Sequence, residues 1–337
     1  MSVLWVLFKN RWITPPAPFE GSFEGKTILV TGATSGIGLE AVVKFAAQGA
    51  TKVIMTARDK QKGESTKSAI EKRLEKKVVL EVWELDMNSY ESIVAFAERA
   101  KTLDSLDIAI LNAGLHKVKY TQSGNGWEED LQVNALSTTL LATLLLPTLL
   151  ASKKKTGRTA VLEFVNSGLH ETAKLPSKAR QSENIIEFYN KPENFGASNQ
   201  YSFTKLFQMF AVGILSKKVS AEDVIVTSIC PGPVLTSIAR DISFPGISLI
   251  KYIASLLAMH TPAIGANVIL TGTAQGPASH GRFWNMGVIK PVAPTLAGVE
   301  NEKLGEQVWR EMVTVLAKEV RGVDVLGVVK GLDEVGV

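Results

Sequence analysis

A single cysteine, Cys230, stands in the 337 residues, so no disulfide can form within the chain, and a reducing compartment, the cytoplasm, is expected. Cys230 lies inside an apolar run and reads as core packing. The four histidines, His116, His170, His260 and His280, are scattered. They offer neither an i, i+4 pair nor cysteine partners, so no metal site is expected. Charge of one sign is also scarce: 37 basic against 33 acidic residues leave a net +4, too even for an electrostatic nucleic-acid binder. Lys153-Lys154-Lys155 then reads as a solvated helix end. Internal repeats and low-complexity linkers are lacking too. The apolar stretch Met1 to Phe8 is too short for a bilayer span, which takes on the order of 20 apolar residues, and its basic neighbours Lys9 and Arg11 follow it, unlike those of a secretory signal. Two readings stay open for it. It either packs over the domain or forms a peripheral membrane contact through Leu4, Trp5, Leu7, Phe8 and Trp12.

Apolar residues make up 45% of the chain, enough for a large core. The most informative stretch is Thr27 to Gly38, T-I-L-V-T-G-A-T-S-G-I-G. A buried strand stops at Gly32, Gly36 and Gly38, just before a helical pattern starts. Gly32 lets the chain turn, while Gly36 and Gly38 clear side chains from N–H groups where a helix dipole favours an anion. Taken alone, such a loop is an ordinary strand-to-helix turn as readily as a nucleotide cradle. The rest of the chain alternates in the same way. Strands are expected at Lys26–Thr31, Lys52–Ala57, Val78–Leu85, Leu106–Leu111, Thr159–Val165 and Val224–Cys230, with a last edge strand at Arg282–Asn285. Helices are expected at Gly38–Gln48, Asp59–Glu75, from Ser89 to about Lys101, Glu128–Leu150, Tyr201–Val219, 261–276 and Glu302–Arg321. This alternation implies an α/β fold, a doubly wound parallel sheet of the Rossmann type, with ligands beyond the carboxyl ends of its strands. Gly32, Arg58, Asp86, Asn112, Ser167 and Pro231 all fall at those ends.

The motifs T-G-A-T-S-G-I-G at 31–38, N-A-G at 112–114, Asn134, Ser167, Y-S-F-T-K at 201–205 and P-G-P-V-L-T at 231–236, in that order, resemble the short-chain dehydrogenase/reductase family. The long additions are similar to its retinol-dehydrogenase-like branch, including fungal reductases of secondary metabolism. The resemblance implies a nicotinamide cofactor and hydride transfer between a carbonyl and an alcohol. It places the cofactor on Gly32, Ser35, Gly36, Ile37, Gly38, Arg58, Asp86, Asn112, Ala113, Gly114, Tyr201, Lys205, Pro231, Gly232, Val234 and Thr236. Within that set Asp86 would meet the adenine and Thr236 the nicotinamide amide. Asn134 would hold a water that relays protons through Lys205.

The residues themselves carry part of this chemistry. Tyr201 and Lys205 are four apart on a helix and share a face, so an ammonium beside a phenol is expected to lower the phenol pKa. Ser167, just past a strand, can donate a hydrogen bond to a carbonyl oxygen. After the second strand stands Thr56-Ala57-Arg58, with a guanidinium suited to a 2′-phosphate where a ribose-binding carboxylate would otherwise stand, so NADP(H) is expected over NAD(H).

Residues 1–24 read as an extension, 25–290 as a single catalytic domain, and 291–337 as a C-terminal helical extension. Two stretches inside the domain, 169–200 and 237–259, are expected to wall the substrate. The first is an insertion carrying Ile185, Ile186, Phe188, Tyr189 and Phe195, which could instead form a solvent-facing satellite core. The second is an apolar lid with only Arg240, Asp241 and Lys251 charged, suited to a hydrophobic small molecule, a dimer contact or a membrane surface. Trp309, Met312, Val313, Leu316 and Val320 repeat at helical spacing, as core packing does. The tail from Gly322 either crosses back over the domain or meets another subunit, in a monomer or homodimer. The expected activity is reduction of a hydrophobic ketone or aldehyde, or the reverse. The alternatives are a non-redox dehydratase, isomerase or cyclase on the same scaffold, and a cofactor-sensing protein without turnover.

Overall fold

The computed structural model describes residues 16–75, 77–234 and 259–335. Residues 1–12, Thr236 and all but Met259 of the 237–259 lid lie outside them. The described strands are β1 (Thr27–Val30), β2 (Lys52–Ala57), β3 (Val79–Glu84), β4 (Ile108–Leu111), β5 (Ala160–Val165), β6 (Val224–Cys230), β7 (Phe283–Asn285) and β8 (Val288–Ile289). They form one sheet in the order β3-β2-β1-β4-β5-β6-β7-β8, parallel except for β8. The order reverses between β1 and β4, so a crevice opens above their carboxyl ends.

Both faces of the strands are apolar, because helices cover both. Alternate residues go to opposite faces: Leu29, Ile54, Ala109 and Leu162 join one core, while Ile28, Val30, Val53, Ile108 and Val161 join the other. The second core is closed by α1 (Gly36–Ala47), α2 (Lys60–Glu71) and, later in the chain, α8 (Pro262–Gly272). On the first face lie α3 (Tyr90–Ala100), α4 (Thr138–Thr156) and α7 (Ala197–Ser216), after two short helices α5 (Ser177–Arg180) and α6 (Ile185–Asn190). Ser89 caps α3 by accepting from Ser92 N, as its sequence position suggests. A further layer, α9 (Val299–Glu319) and α10 (Val325–Val335), packs over α7 and α4. Trp309, Met312, Val313, Leu316 and Val320 are all buried there, and Val325, Val329 and Leu332 fold the tail back onto the domain.

Three local features differ from the sequence expectation. The helix expected at Glu128–Leu150 begins as a π turn, Leu131–Ser137, and runs on as α4 to Thr156. Glu128 fixes its start by accepting from Asp130 N and Leu131 N, and Thr138 Oγ1 donates five residues back to Val133 O. Pro147 is the one exposed residue between Thr138 and Leu150, and it interrupts the helical hydrogen-bond ladder without ending the helix. Leu131–Thr156 is long and apolar enough to cross a membrane, but 89% of its most apolar window is buried in the protein, which makes it a core helix. Second, β7 is not the edge strand: a hairpin through Met286 (φ 52°) and Gly287 (φ 91°) returns β8 against it. Both turn residues need positive φ, the pattern of a type I′ turn. Third, the 169–200 insertion sends Ile185, Ile186 and Tyr189 into the main core, where Glu311 of α9 accepts from Ile185 N and Ile186 N.

Glu163, in the middle of β5, is fully buried on the α8 side, and neither carboxylate oxygen has a hydrogen-bond partner among the described residues. Gly272 of α8 makes room for it, since a Cβ there would sit 2.4 Å from Glu163 Oε2.

Candidate active site

A cleft of about 420 Å³ runs along the carboxyl edge of the sheet. Its floor is the β1–α1 loop. Gly32 and Gly36 have φ of 63° and 58°, and a Cβ on Gly32 would come within 2.9 Å of Ala113 Cα. Thr31 Oγ1 accepts from both Asn112 N and Ala113 N at 2.9 Å, and Gly32 N donates to Thr56 Oγ1 at 3.1 Å. The loop is thus tied to the strands on both sides before any ligand arrives. Ser35 stands at the N-cap position in extended conformation, and its hydroxyl makes no capping bond. The first-turn N–H groups keep their capacity for an anion. Gly38 serves differently from expectation. Its position packs against Asn112 Nδ2 and Gly32 O, where a Cβ would sit at 2.5 and 2.6 Å, and it does not line the cleft.

Of the residues picked from the sequence, Gly32, Ser35, Gly36, Ile37, Arg58, Asp86, Asn112, Ala113, Gly114, Ser167, Tyr201, Lys205, Pro231, Gly232 and Val234 all line this cleft. Arg58 and Asp86 lie toward one end, joined by Lys62, which sequence reasoning missed. Asp59 is occupied in accepting from Lys62 N at 2.6 Å, and no ion pair among the described residues takes Arg58. Thr236 lies outside the described residues.

The other end gathers Ser167, Tyr201, Lys205, Asn166, His116 and Cys230. Ser167 follows β5 and caps a 3₁₀ turn, its Oγ accepting from Leu169 N at 3.2 Å. Asn166 steadies it by accepting from Ser167 N and donating to Lys205 O. Tyr201 sits one turn into α7, with the His116 ring 5.0 Å from its own. His116 Nδ1 is 3.2 Å from Oδ2 of the buried Asp130. None of 169–200 is among the residues that line this cleft.

One expectation is corrected here. Lys205 Nζ donates to Val165 O and Gln208 Oε1, each at 3.0 Å, and lies 5.6 Å from the centre of the Tyr201 ring. Burial therefore prevails over the ammonium: it pushes the Tyr201 phenol up, helped by Cys230 and Asp130, when a lowered value was expected. The same burial brings Lys205 down to about 8, against the opposing pull of Cys230 and Asp130. Asn134 lies close by, at the π turn. Its side chain is fully committed, accepting from Leu115 N and donating to Leu115 O and Thr204 Oγ1, while its carbonyl accepts from Gln208 Nε2 at 2.7 Å. The Asn134 carbonyl is thus taken up by the Gln208 side-chain amide.

The chain matches known proteins in sequence and in fold. The short chain dehydrogenase family profile matches residues 26–169. A short-chain dehydrogenase/reductase of Phaeosphaeria nodorum is 36% identical over 307 residues, 90% of each chain. One of Aspergillus flavipes is 35% identical over 324 residues, 95% of this chain and 93% of the relative. In fold, a short-chain dehydrogenase from Sphingobium yanoikuyae solved with NADPH superposes with a TM-score of 0.58 at 20% identity, covering 89% of this chain and 98% of that one. This chain belongs to the short-chain dehydrogenase/reductase family of oxidoreductases.

Proposed function

We propose that the protein is an NADPH-dependent reductase of a hydrophobic ketone or aldehyde, able to run in reverse as an alcohol dehydrogenase. One observation carries the proposal: Ser167, Tyr201 and Lys205 meet at one end of a cleft whose other end presents Arg58 and Lys62. The cleft suits a dinucleotide on its own geometry. Two positive-φ glycines shape its floor, the uncapped start of α1 would hold a diphosphate, and Arg58 and Lys62 would hold an adenosine 2′-phosphate. The NADPH bound by the Sphingobium yanoikuyae relative is in keeping with this.

When bound, the nicotinamide supplies the hydride. This chain's residues supply the rest. Ser167 Oγ accepts from Leu169 N, which leaves the hydroxyl proton to be donated to a carbonyl oxygen. Tyr201, with its pKa raised, is a neutral phenol near pH 7, the form that gives a proton to a developing alkoxide. Lys205 is held beneath the phenol by Val165 and Gln208. The apolar 237–259 sequence argues for a hydrophobic substrate, and kinship with fungal relatives for a secondary metabolite.

Incubation with 4-deuterated NADPH and a metabolite extract tests the reaction. A deuterium-bearing alcohol in the mass spectrum is expected, whereas a product free of label would favour a non-redox reaction. Cofactor choice has its own test. Charge-assisted hydrogen bonds contribute about 1.5–3 kcal/mol, so Arg58→Ala should weaken NADPH binding roughly 10- to 100-fold and leave NADH nearly unchanged. Fluorescence titration of both nucleotides measures this, and wild-type protein that binds the two equally would contradict the assignment.

A further inference from the structure

Gln208 lies three residues beyond Lys205 on α7 and is 1% exposed. Its Nε2 donates to Asn134 O at 2.7 Å, and its Oε1 accepts from Lys205 Nζ at 3.0 Å. The amide can face only one way. A carbonyl solely accepts and a lysine N–H donates, so a flipped amide would set acceptor against acceptor and donor against donor. The other anchor of Nζ is Val165 O, also at 3.0 Å. With Cε and two anchored hydrogens, the tetrahedral nitrogen has one position left for the cleft.

We propose that Gln208 is a positioning residue for Lys205: its side chain ties the π turn at Asn134 to the lysine and turns the remaining valence of Nζ toward Tyr201. Neutral and protonated lysine both keep the two anchoring N–H bonds. Only the third position changes, from an N–H to a lone pair, so protonation can alternate there without the side chain moving. The link works only because Asn134 offers its carbonyl, its side chain being spent on Leu115 and Thr204. The ionisable groups around Lys205 are Tyr201 on the same helix, Cys230 at the end of β6, and Asp130 before the π turn, itself paired with His116. None of these holds Nζ by a hydrogen bond.

This inference builds on the proposed role of Lys205, but its first readout needs no substrate. In protein labelled with 13Cε-lysine, the resonance missing from Lys205→Arg reports the titration of Lys205. Gln208→Leu removes an acceptor from the ammonium and should lower the midpoint by about one pH unit; Gln208→Glu puts a carboxylate at the same point and should raise it by at least about as much. The pH profile of kcat/KM for NADPH with phenanthrenequinone should move in the same two directions. If Gln208→Leu fails to fold, Gln208→Asn, one methylene too short to bridge, takes its place with the same expected fall. Opposite shifts support the positioning role even where the quinone is not reduced, an outcome that would count against carbonyl reduction alone. Unchanged midpoints, or shifts of one sign in all variants, would overturn it.

Discussion

Tyr201→Phe is expected to lower kcat for carbonyl reduction by roughly 10²- to 10⁴-fold, the range that a positioned proton donor supplies, while the dissociation constant for NADPH changes little. The substitution removes one oxygen. The ring stays in place beside His116, and the Lys205 anchors at Val165 and Gln208 do not involve the phenol. A loss confined to kcat would locate the function of Tyr201 in the transition state. The pH dependence adds a second check. Burial raises the Tyr201 pKa and lowers that of Lys205 to about 8, so at neutral pH the site holds a phenol above a mostly protonated lysine. Reduction needs that proton-loaded state, and kcat/KM for the carbonyl should decline as pH rises past about 8. The reverse oxidation needs an acceptor and should gain over the same interval. Full activity in Tyr201→Phe, or a reduction rate that climbs steadily with pH, would remove Tyr201 from the chemistry.

The sheet was legible because β1, β2, β4 and β6 are largely apolar runs rich in β-branched residues between turn signals, and β2 and β6 keep the bounds their residues suggest. The β7–β8 hairpin was not. Its turn puts Met286 at φ 52°, a conformation that methionine does not advertise as an Asn-Gly pair would. The π turn was hidden for a different reason: all seven of its residues are buried, so no alternation of apolar and polar faces marks the change of period. In the site, residues at strand ends could be read because topology sends strand ends to one edge. Lys62, Asp130 and Gln208 come from helices and a loop, and only tertiary packing decides that they approach. The i, i+3 spacing of Lys205 and Gln208 was the one trace of their contact. The Tyr201–Lys205 spacing correctly implied a shared face but not the sign of the phenol shift, since that depends on which carbonyls take the lysine's N–H groups and on how deeply the pair is buried.

Glu163→Met is expected to stabilise the fold near pH 7.5, with the gain shrinking toward pH 5. Burial alone holds the Glu163 carboxyl well above the usual carboxylate range. In the unfolded chain the same group ionises near its ordinary value of about 4.3, so above that pH the folded state binds a proton that the unfolded state has released. Stability from this group is therefore complete below the unfolded pKa and falls by about 1.4 kcal/mol per pH unit until pH reaches the folded value. Methionine fills a similar volume and titrates nowhere. Nothing is lost in hydrogen bonding, because neither Glu163 oxygen has a partner among the described residues. Such exchanges of a buried ionisable group for an apolar one are often stabilising. Glu163→Gln separates the two contributions: it abolishes the pH slope yet still buries an amide, and should fall between wild type and Glu163→Met at pH 7.5. Urea unfolding at pH 5, 6.5 and 8 measures all three. Parallel stability profiles for wild type and Glu163→Met would mean that the carboxyl has found a proton-independent partner inside the sheet, and that α8 closes over Gly272 for a reason other than sheltering a neutral acid.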